Sequence, residues 1–330
     1  MTRVAVVIPN WNGERWLRPC LDSLRRQTFR DFHVVVVDNG SVDGSLALLR
    51  ESYPEVQVVA NPTNLGFAAA MNIGIRACEE PLVAALNNDT EAHPEWLAAL
   101  VAEIDRQPPE VGFLASKILD FSDRTVIDSV GDGYCRLGLS YKIGAGSRDT
   151  GQFREPFEVL SACAAASLYR REMLDAIGLF DEDFFAYMED VDLGIRARLA
   201  GYRCFAVPEA IVYHVGSATS GGPASPFAIR LTTRNLFALI LKTLPLWMVP
   251  GVLALALASQ GAVLAKSLLT GRPAWLRANL SAYGSGVAAA LRELPATLAK
   301  RRAAPEPAPG AAAALARLMP LLPKRWERAP

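Results

Sequence analysis

The chain has 330 residues, of which 51% are hydrophobic, and its 34 basic and 34 acidic side chains cancel to a formal net charge of zero. A chain of this length can bury a full core and hold one large domain or two smaller ones. The balanced charge lacks the basic field that nucleic-acid binding requires, so no nucleic-acid partner is expected.

The cysteines are odd in number, widely spaced and without a CxxC pair: Cys20, Cys78, Cys135, Cys163 and Cys204. This pattern predicts free thiols in a reducing compartment and argues against a disulfide framework or a zinc site. The first residues, "MTRVAVVIPNWNG", contain too short an apolar run for a secretory signal. We therefore expect a cytoplasmic protein.

The first half of the chain alternates short β-rich runs with helical patterns, which predicts βαβ units and a mainly parallel sheet. Between the first two predicted strands, apolar residues recur at helical spacing, so a helix with one buried face is expected there. The runs "GFAAAMNIGIRAC" and "PEWLAALVAEIDR" predict two further helices. The predicted strands are Val4–Ile8, Val34–Val37, Val56–Val59, Leu82–Leu86 and Val111–Leu114.

Residues 131–156 are rich in glycine and polar side chains, which predicts a long mobile loop. A helix is expected through "EDVDLGIRARLAG" and ends at Gly201. The runs "YRCFAV" and "AIVYH" are expected to form two final strands.

The last hundred residues have a different character, because residues 243–265 carry no charge. At about 1.5 Å per residue a helix of this length could cross a bilayer, although Pro245, Pro250 and Gly251 weaken a straight span. A single crossing would also contradict the positive-inside bias. A spanning helix, an interfacial or re-entrant hairpin and a buried core helix all stay open, and we favour helices on the cytoplasmic leaflet whose basic residues face anionic lipid. These basic residues are Arg272, Arg277, Arg292, Lys300, Arg301 and Arg302.

Three predicted strands end in polar clusters, "PNWNG", "DNGS" and "NNDT". Ligands bind at the carboxyl ends of parallel strands, so these clusters are candidate site residues. Asp38 could accept hydrogen bonds from a nucleotide, or "DNGS" could be only a turn. Asp89 could hold Mg²⁺ or Mn²⁺, or it could cap a helix.

A further acidic cluster, Glu189, Asp190 and Asp192, crowds the predicted start of a helix, where the helix dipole favours negative charge. Acids are common in a first turn, and Asp192 with Arg196 has ordinary i,i+4 ion-pair spacing. Aromatic residues precede the cluster, so a carboxylate held ionised by the dipole could act as a general base facing a sugar. His214 ends the last predicted strand and could be a metal ligand or a structural histidine.

Seven motifs follow one another along residues 3–240: "VVIPNWNG", "VVVDNGSVDGS", "NLGFAAAMNIGI", "LNNDT", "GLFDEDFFAYMEDVDLGIRARLAGY", "VYHVGSATSG" and "RNL". Together they resemble the family 2 inverting glycosyltransferases of the GT-A fold, close to bacterial rhamnosyltransferase-like members that build cell-surface polysaccharides. The resemblance implies an α/β, Rossmann-like GT-A domain over 1–240. We expect membrane-associated helices over 241–302 and a flexible, Pro/Ala-rich tail over 303–330.

The resemblance also implies roles for individual residues. Asp190 would deprotonate the acceptor, while Asp89 and His214 would hold Mg²⁺ or Mn²⁺. The chain departs from the family pattern at Asn87, where the first acid of the metal motif is expected, and at Met71, where many relatives carry an arginine that Arg234 could replace. The nucleotide sugar would contact Pro9, Trp11, Asp38, Gly66, Asn72 and Asn88, and the sugar and acceptor would contact Cys163, Ala164 and Glu189.

The expected function is transfer of a sugar, with rhamnose from dTDP-rhamnose as the first choice, from a nucleotide-sugar donor to a polyprenyl-diphosphate-linked or polysaccharide acceptor at the inner face of the cell membrane. One alternative is an NAD(P)-dependent oxidoreductase with Asp38 as the ribose acid, although "PNWNG" replaces the expected GxGxxG turn. Another alternative is a catalytically inactive, membrane-bound module that binds glycan or nucleotide.

Overall fold

The computed structural model describes residues 2–216, 222, 225–269 and 273–323, without the side chains of 262–269 and 273–278. Its strands are β1 Val4–Asn10, β2 Phe32–Asn39, β3 Gln57–Asn61, β4 Leu82–Leu86, β5 Thr90–Ala92, β6 Val111–Asp120, β7 Ile127–Ser129, β8 Asp132–Tyr134, β9 Ser140–Lys142, β10 Phe157–Val159, β11 Ala166–Arg170 and β12 Arg203–His214. Its helices are α1 Glu14–Arg25, α2 Ser45–Ser52, α3 Phe67–Arg76, α4 Trp96–Arg106, α5 Arg171–Ile177, α6 Glu189–Leu199, α7 Pro226–Thr243, α8 Val249–Leu269, α9 Pro273–Ala303 and α10 Ala311–Leu318, with a 3-10 turn at Glu182–Phe184.

One mixed sheet organises the first 214 residues, in the order β10-β12-β6-β11-β4-β1-β2-β3. Strands β1 to β4 are parallel neighbours, as the alternating βα pattern predicts. Strand β11 is antiparallel to both β4 and β6. Two short strands lie off the main path, where β5 pairs with β12 and β7 pairs with β6. The sheet confirms the predicted α/β class.

Helices cover both faces of the sheet because its central strands are apolar on both sides. In β1, Val4, Val6 and Ile8 pack into one core cluster while Ala5 and Val7 pack into the other. The predicted face of α1 is buried against the first of these clusters, through Leu17, Cys20, Leu21 and Leu24.

Two predictions for the middle of the chain are wrong. The expected mobile loop over 131–156 contains the hairpin β8–β9, and its Tyr134 and Cys135 are fully buried. The two expected final strands form one strand, β12, whose pairing with β6 shifts register between Val207 and Ile211. The residues "PEA" between the two runs suggested that the first strand ends there. Pairing with β6 instead continues on both sides of them, because a β-bulge bends a strand without ending it. All five cysteines are free, as predicted.

The C-terminal helices pack against the domain that contains the sheet. Helix α9 packs along α7, and Lys300 reaches back to Asp181 at 2.5 Å. Arg301 donates to the carbonyl oxygens of Leu241 and Leu244. The side chains of Lys300 and Arg301 therefore contact protein, whereas Arg292 and Arg302 are exposed, and the expected contact with lipid stays a prediction. Of the other predicted basic residues, Arg272 and the side chain of Arg277 lie outside the described residues.

The predicted flexible tail also departs from expectation over its described part. Helix α10 packs on α6, and Leu315 and Met319 are buried there. Residues 324–330 of this tail lie outside the described residues. Among the helices that the structure describes, none is both long enough and apolar enough to cross a bilayer.

Candidate active site

A cavity of about 490 Å³ opens at the carboxyl ends of β1 and β4, where open α/β sheets bind ligands. Among the described residues, its lining draws on each of the seven motifs except "RNL". The predicted site residues that line it are Pro9, Trp11, Gly66, Asn88, Asp89, Cys163, Ala164, Glu189, Asp190 and His214.

Asp38 and Asn72 are the two predicted site residues that do not line the cavity. Asp38 is buried behind Asn10, whose amide donates to it at 2.9 Å, and it also accepts from the backbone N–H of Ser41. Asn72 is buried and bonds both the N–H and the carbonyl of Phe180. The expected contact of Asn72 with a diphosphate is therefore replaced by a structural bond that fastens α3 to the segment before α6.

Asp89 and His214 meet because β5 pairs with the end of β12. The register opposes Thr90 to His214, and the N–H of Val215 donates to the Asp89 carbonyl at 3.0 Å. His214 Nε2 then lies 3.2 Å from Asp89 Oδ1. Ligands of Mg²⁺ lie at about 2.0–2.1 Å, so neighbouring positions around one ion are about 3 Å apart. The imidazole nitrogen and the carboxylate therefore fit one small divalent cation.

The charge state of His214 follows from its two acidic neighbours. Burial lowers its pKa, but hydrogen bonds and charge from Asp128 and Asp89 outweigh burial and raise the pKa to about 9. Asp128 Oδ2 lies 3.3 Å from His214 Nδ1, and Lys142 Nζ lies 2.7 Å from the same carboxylate.

The acid cluster at the start of α6 reaches the opposite side of the cavity. Asp190 accepts hydrogen bonds from the N–H groups of Ala164 and Val191. A carboxylate oxygen of Asp190, a carboxylate oxygen of Asp132 and the Cys163 sulfur all lie within 4.8 Å of one another. Burial raises the pKa of Asp190 above its ordinary value, although the two N–H bonds oppose this effect. Burial and the charge of Asp190 raise the pKa of Asp132 further.

The other two acids of the cluster differ from Asp190 in environment. Glu189 is buried, and burial together with the charge of Asp190 raises its pKa well above the ordinary value. Asp192 is fully buried and pairs with Arg196 at 2.8 Å and with Lys242 at 2.6 Å. The i,i+4 pair with Arg196 is confirmed. Burial thus raises the pKa of Asp190 despite its place at the start of a helix, and the expectation that the helix dipole holds a carboxylate ionised there stays a prediction.

The aromatic loop, residues 184–188, precedes α6 and forms another wall of the cavity. Phe185 and Tyr187 have φ values of 63° and 71°, a conformation that non-glycine residues rarely adopt. Asn235 of α7 holds this loop by donating to the carbonyls of Phe184, Ala186 and Tyr187. Gly66 passes directly beneath it, where a Cβ would lie 2.6 Å from the Phe185 ring.

Of the two departures from the family pattern, Asn87 lines the cavity beside His214, and Met71 lies away from it. Met71 is fully buried in the core and does not reach the cavity. Arg234, the candidate replacement for the family's arginine, donates to the carbonyls of Asp183 and Phe184. Arg234 therefore supports the aromatic loop.

Sequence reasoning missed three residues of this site, Asp128, Asp132 and Lys142. Asp132 and Lys142 lie within residues 131–156, whose glycine content suggested a mobile loop, and Asp128 lies just before this stretch, in "IDSVGDG". Two acids and a lysine within a glycine-rich run next to a strand were the available signal.

Comparison with known proteins agrees with this geometry. The chain matches Glycosyl transferase family 2 over residues 5–178. It is 31% identical over 255 residues to N-acetylglucosaminyl-diphospho-decaprenol L-rhamnosyltransferase of Mycobacterium tuberculosis, a match that covers 70% of this chain and 82% of that protein. It is also 29% identical over 240 residues to the uncharacterized protein y4gI of Sinorhizobium fredii, covering 68% of this chain but spanning only 25% of that longer relative.

Solved structures share the fold. Mannosyltransferase PcManGT from Pyrobaculum calidifontis, in complex with GDP-Man and Mn²⁺, superposes with a TM-score of 0.54 at 19% identity, and the match covers 89% of this chain and 87% of that one. The family match argues against the oxidoreductase alternative. The chain therefore belongs to the family 2 glycosyltransferases, is similar to a rhamnosyltransferase within that family, and has a GT-A-like fold.

Proposed function

We propose that the protein is an inverting, cation-dependent glycosyltransferase that transfers rhamnose from dTDP-rhamnose to a polyprenyl-diphosphate-linked glycan. The observation that carries the reaction type is that a carboxyl group, Asp190, and a cation-fitting pair, Asp89 with His214, line one cavity. The name of the Mycobacterium tuberculosis relative supports the choice of sugar and of acceptor class.

In this mechanism Asp190 accepts the proton of the acceptor hydroxyl as that oxygen attacks the anomeric carbon. The N–H groups of Ala164 and Val191 hold the carboxyl in place. Its raised pKa makes the carboxylate a stronger base than an exposed aspartate, which favours proton transfer. A single in-line attack of this kind inverts the anomeric configuration.

Asp89 and His214 would hold the divalent cation. A cation bound there supplies positive charge to the departing nucleoside diphosphate. Asn88 lies beside the pair, and its amide donates to Asn10 at 2.7 Å, while Asn10 donates to Asp38. These hydrogen bonds connect Asn88, next to Asp89, with the ends of β1 and β2. Asp38 therefore contributes to nucleotide binding indirectly, by holding Asn10 in place.

The remaining predicted residues divide the cavity between nucleotide and sugar. Trp11 is 38% exposed and offers a ring face at the entrance, next to Pro9. Gly66 brings the backbone close to the aromatic loop. The small side chains of Cys163 and Ala164 leave space beside Asp190 for the transferred sugar. Glu189 lies at the same wall, on the acceptor side.

A lipid-linked acceptor requires the enzyme to work at a membrane surface, and one apolar surface suits this role. Leu246 and Trp247, between α7 and α8, are 74% and 66% exposed. We expect the doubly substituted Leu246→Ser, Trp247→Ser chain to lose recovery with anionic lipid vesicles. Val42→Ser, at an apolar position that is 90% exposed in a loop of the nucleotide half, is the matched control. Equal sedimentation of the double variant and the wild type would remove this part of the proposal.

The reaction is tested first by nucleotide selectivity. Purified protein is screened by thermal shift against dTDP, UDP, GDP and NAD, each with and without Mn²⁺ or Mg²⁺. A ligand that binds only the folded state stabilises it by about 2.7 kcal/mol at a hundredfold excess over its dissociation constant. A shift with dTDP that requires the cation supports the proposal, and a cation-independent shift with NAD alone contradicts it.

Product analysis then separates an enzyme from an inactive binding module. Wild type and Asp190→Asn are incubated with dTDP-rhamnose, Mn²⁺ and a synthetic polyprenyl-diphosphate glycan. Transfer by the wild type with an inverted anomeric centre, and its loss in Asp190→Asn, is the expected result. Equal product from both chains would exclude Asp190 as the base.

A further inference from the structure

The sheet brings two carboxylates to His214 from opposite sides. Strand β12 lies between β5 and β6, and His214 pairs with Thr90 on one side and with Asp120 on the other. Strand β7 adds to the far edge of β6, with Leu119 opposite Ile127. Asp89 therefore reaches the ring from β5, and Asp128 reaches it from β7.

The contacts of the ring specify which nitrogen faces which acid. Asp128 Oδ2 lies 3.3 Å from His214 Nδ1, and an ionised carboxylate can only accept, so Nδ1 must be the donor. On the other side Asn87 Nδ2, an amide donor, lies 3.4 Å from Nε2. A cation held by Asp89 would take the lone pair of Nε2, so the form of the ring that binds a metal ion keeps its proton on Nδ1, against Asp128.

Lys142 holds Asp128 in position. Its Nζ donates to both carboxylate oxygens of Asp128, at 2.8 Å and 2.7 Å. Lys142 comes from β9, so the β8–β9 hairpin supports the ring through Asp128. The imidazole itself is 7% exposed, which leaves little freedom for the ring to turn once Asp128 is fixed.

We propose that Asp128 and Lys142 are positioning residues of the cation site: Asp128 accepts the Nδ1 proton of His214 and directs Nε2 toward the cation, and Lys142 fixes Asp128. The inference rests on the proposed cation-dependent function. A carboxylate that accepts from a ligating histidine raises the basicity of the ring and sets its orientation, and its loss reduces metal affinity about 10–100-fold in other sites.

The first test measures Mn²⁺ affinity directly, by electron paramagnetic resonance of MnCl₂ titrated into the full chain, alone and with excess dTDP, UDP or GDP. Asp128→Ala is expected to raise the Mn²⁺ dissociation constant about 10–100-fold. Asp128→Asn is expected to recover part of this loss, because its amide oxygen can still accept from Nδ1. Lys142→Met should weaken Mn²⁺ binding less than Asp128→Ala does. Asp123→Ala, an exposed acid in the turn between β6 and β7, is the matched control and should bind as wild type.

The second test observes the tautomer. The chain has three histidines, so long-range ¹H–¹⁵N spectra give three ring patterns, and His214→Gln identifies one of them. With Mg²⁺ bound, the wild type should show His214 protonated at Nδ1. Asp128→Ala should show a mixture of tautomers, while Asp123→Ala should not. A loss of packing alone would not move the proton from one nitrogen to the other.

The outcomes separate the inference from the proposed function. If the wild type binds no Mn²⁺ with any nucleotide, the cation site and this inference both fail. If Asp89→Asn abolishes Mn²⁺ binding while Asp128→Ala and Lys142→Met keep wild-type affinity and tautomer, the function stands and the inference is overturned. Should Asp128→Ala fail to fold, Asp128→Asn and Lys142→Met decide the question, since neither removes the whole side chain.

Discussion

Asp181 connects the C-terminal helices to the catalytic domain, so its substitution by asparagine should destabilise the protein by a predictable amount. Its side chain is 10% exposed and pairs with Lys242 of α7 at 2.6 Å and with Lys300 of α9 at 2.5 Å. Burial raises the Asp181 pKa, but the charges and hydrogen bonds of the two lysines outweigh it and lower the pKa to about 2.

The magnitude follows from the difference between the folded and unfolded pKa values. A pKa of about 2 against an ordinary 3.8 corresponds to about 2 kcal/mol of folding stability, since each pKa unit is worth about 1.4 kcal/mol. Because the folded pKa is depressed, this contribution is complete above the unfolded value and is lost as the pH falls from about 4 toward 2. Near pH 3 about half of it remains.

The assay is urea unfolding of wild type and Asp181→Asn at neutral pH and near pH 3. We expect a difference of about 2 kcal/mol at neutral pH that shrinks to about half near pH 3. Asp183→Asn is the control, because Asp183 is 60% exposed and a pair with Lys300 at the surface is worth about 0–1 kcal/mol. A difference that is equal at the two pH values, or absent at neutral pH, would refute the electrostatic account.

Three further predictions concern the cavity. Asp190→Asn should lower kcat about 10²–10⁴-fold while leaving the nucleotide-induced thermal shift intact, because the proton acceptor is lost and the nucleotide half is untouched. Gly66→Ala should raise KM for the donor, because φ is 90° at this position and the new methyl group would displace Phe185. An unchanged KM would show that the aromatic loop can move aside without weakening donor binding. Asn235→Ala should cost about 1–3 kcal/mol in urea unfolding because three loop carbonyls lose their donor, and a loss below 0.5 kcal/mol would mean that solvent replaces it.

Much of the nucleotide half could be predicted from the sequence. The apolar runs of β1, β2 and β4 and the polar residues that end them are local patterns, and a buried parallel strand requires little else to be recognised. Because parallel strands run in the same direction, their carboxyl ends all lie at the same edge of the sheet. The sequence therefore placed Pro9, Trp11 and Asp89 at a common site before any contact was known.

The hairpin and the C-terminal helices could not be predicted in the same way. Glycine and polar residues in 131–156 indicate flexibility locally, yet Tyr134 and Cys135 become buried when α6 and α7 pack over them. The uncharged run after α7 resembles a membrane segment, although the helix α9 that follows it is fastened to the domain by Lys300. Long-range packing overrides composition in both places.

The sequence by itself determined the α/β fold class and the family, and it predicted Asp190, at the start of α6, as the base. Only the tertiary structure decided the chemistry of that acid and of His214. The raised pKa of Asp190 depends on desolvation, and the orientation of His214 depends on strand registers that bring together residues distant in the chain. Burial and register are properties of the assembled sheet, so no local pattern contains them.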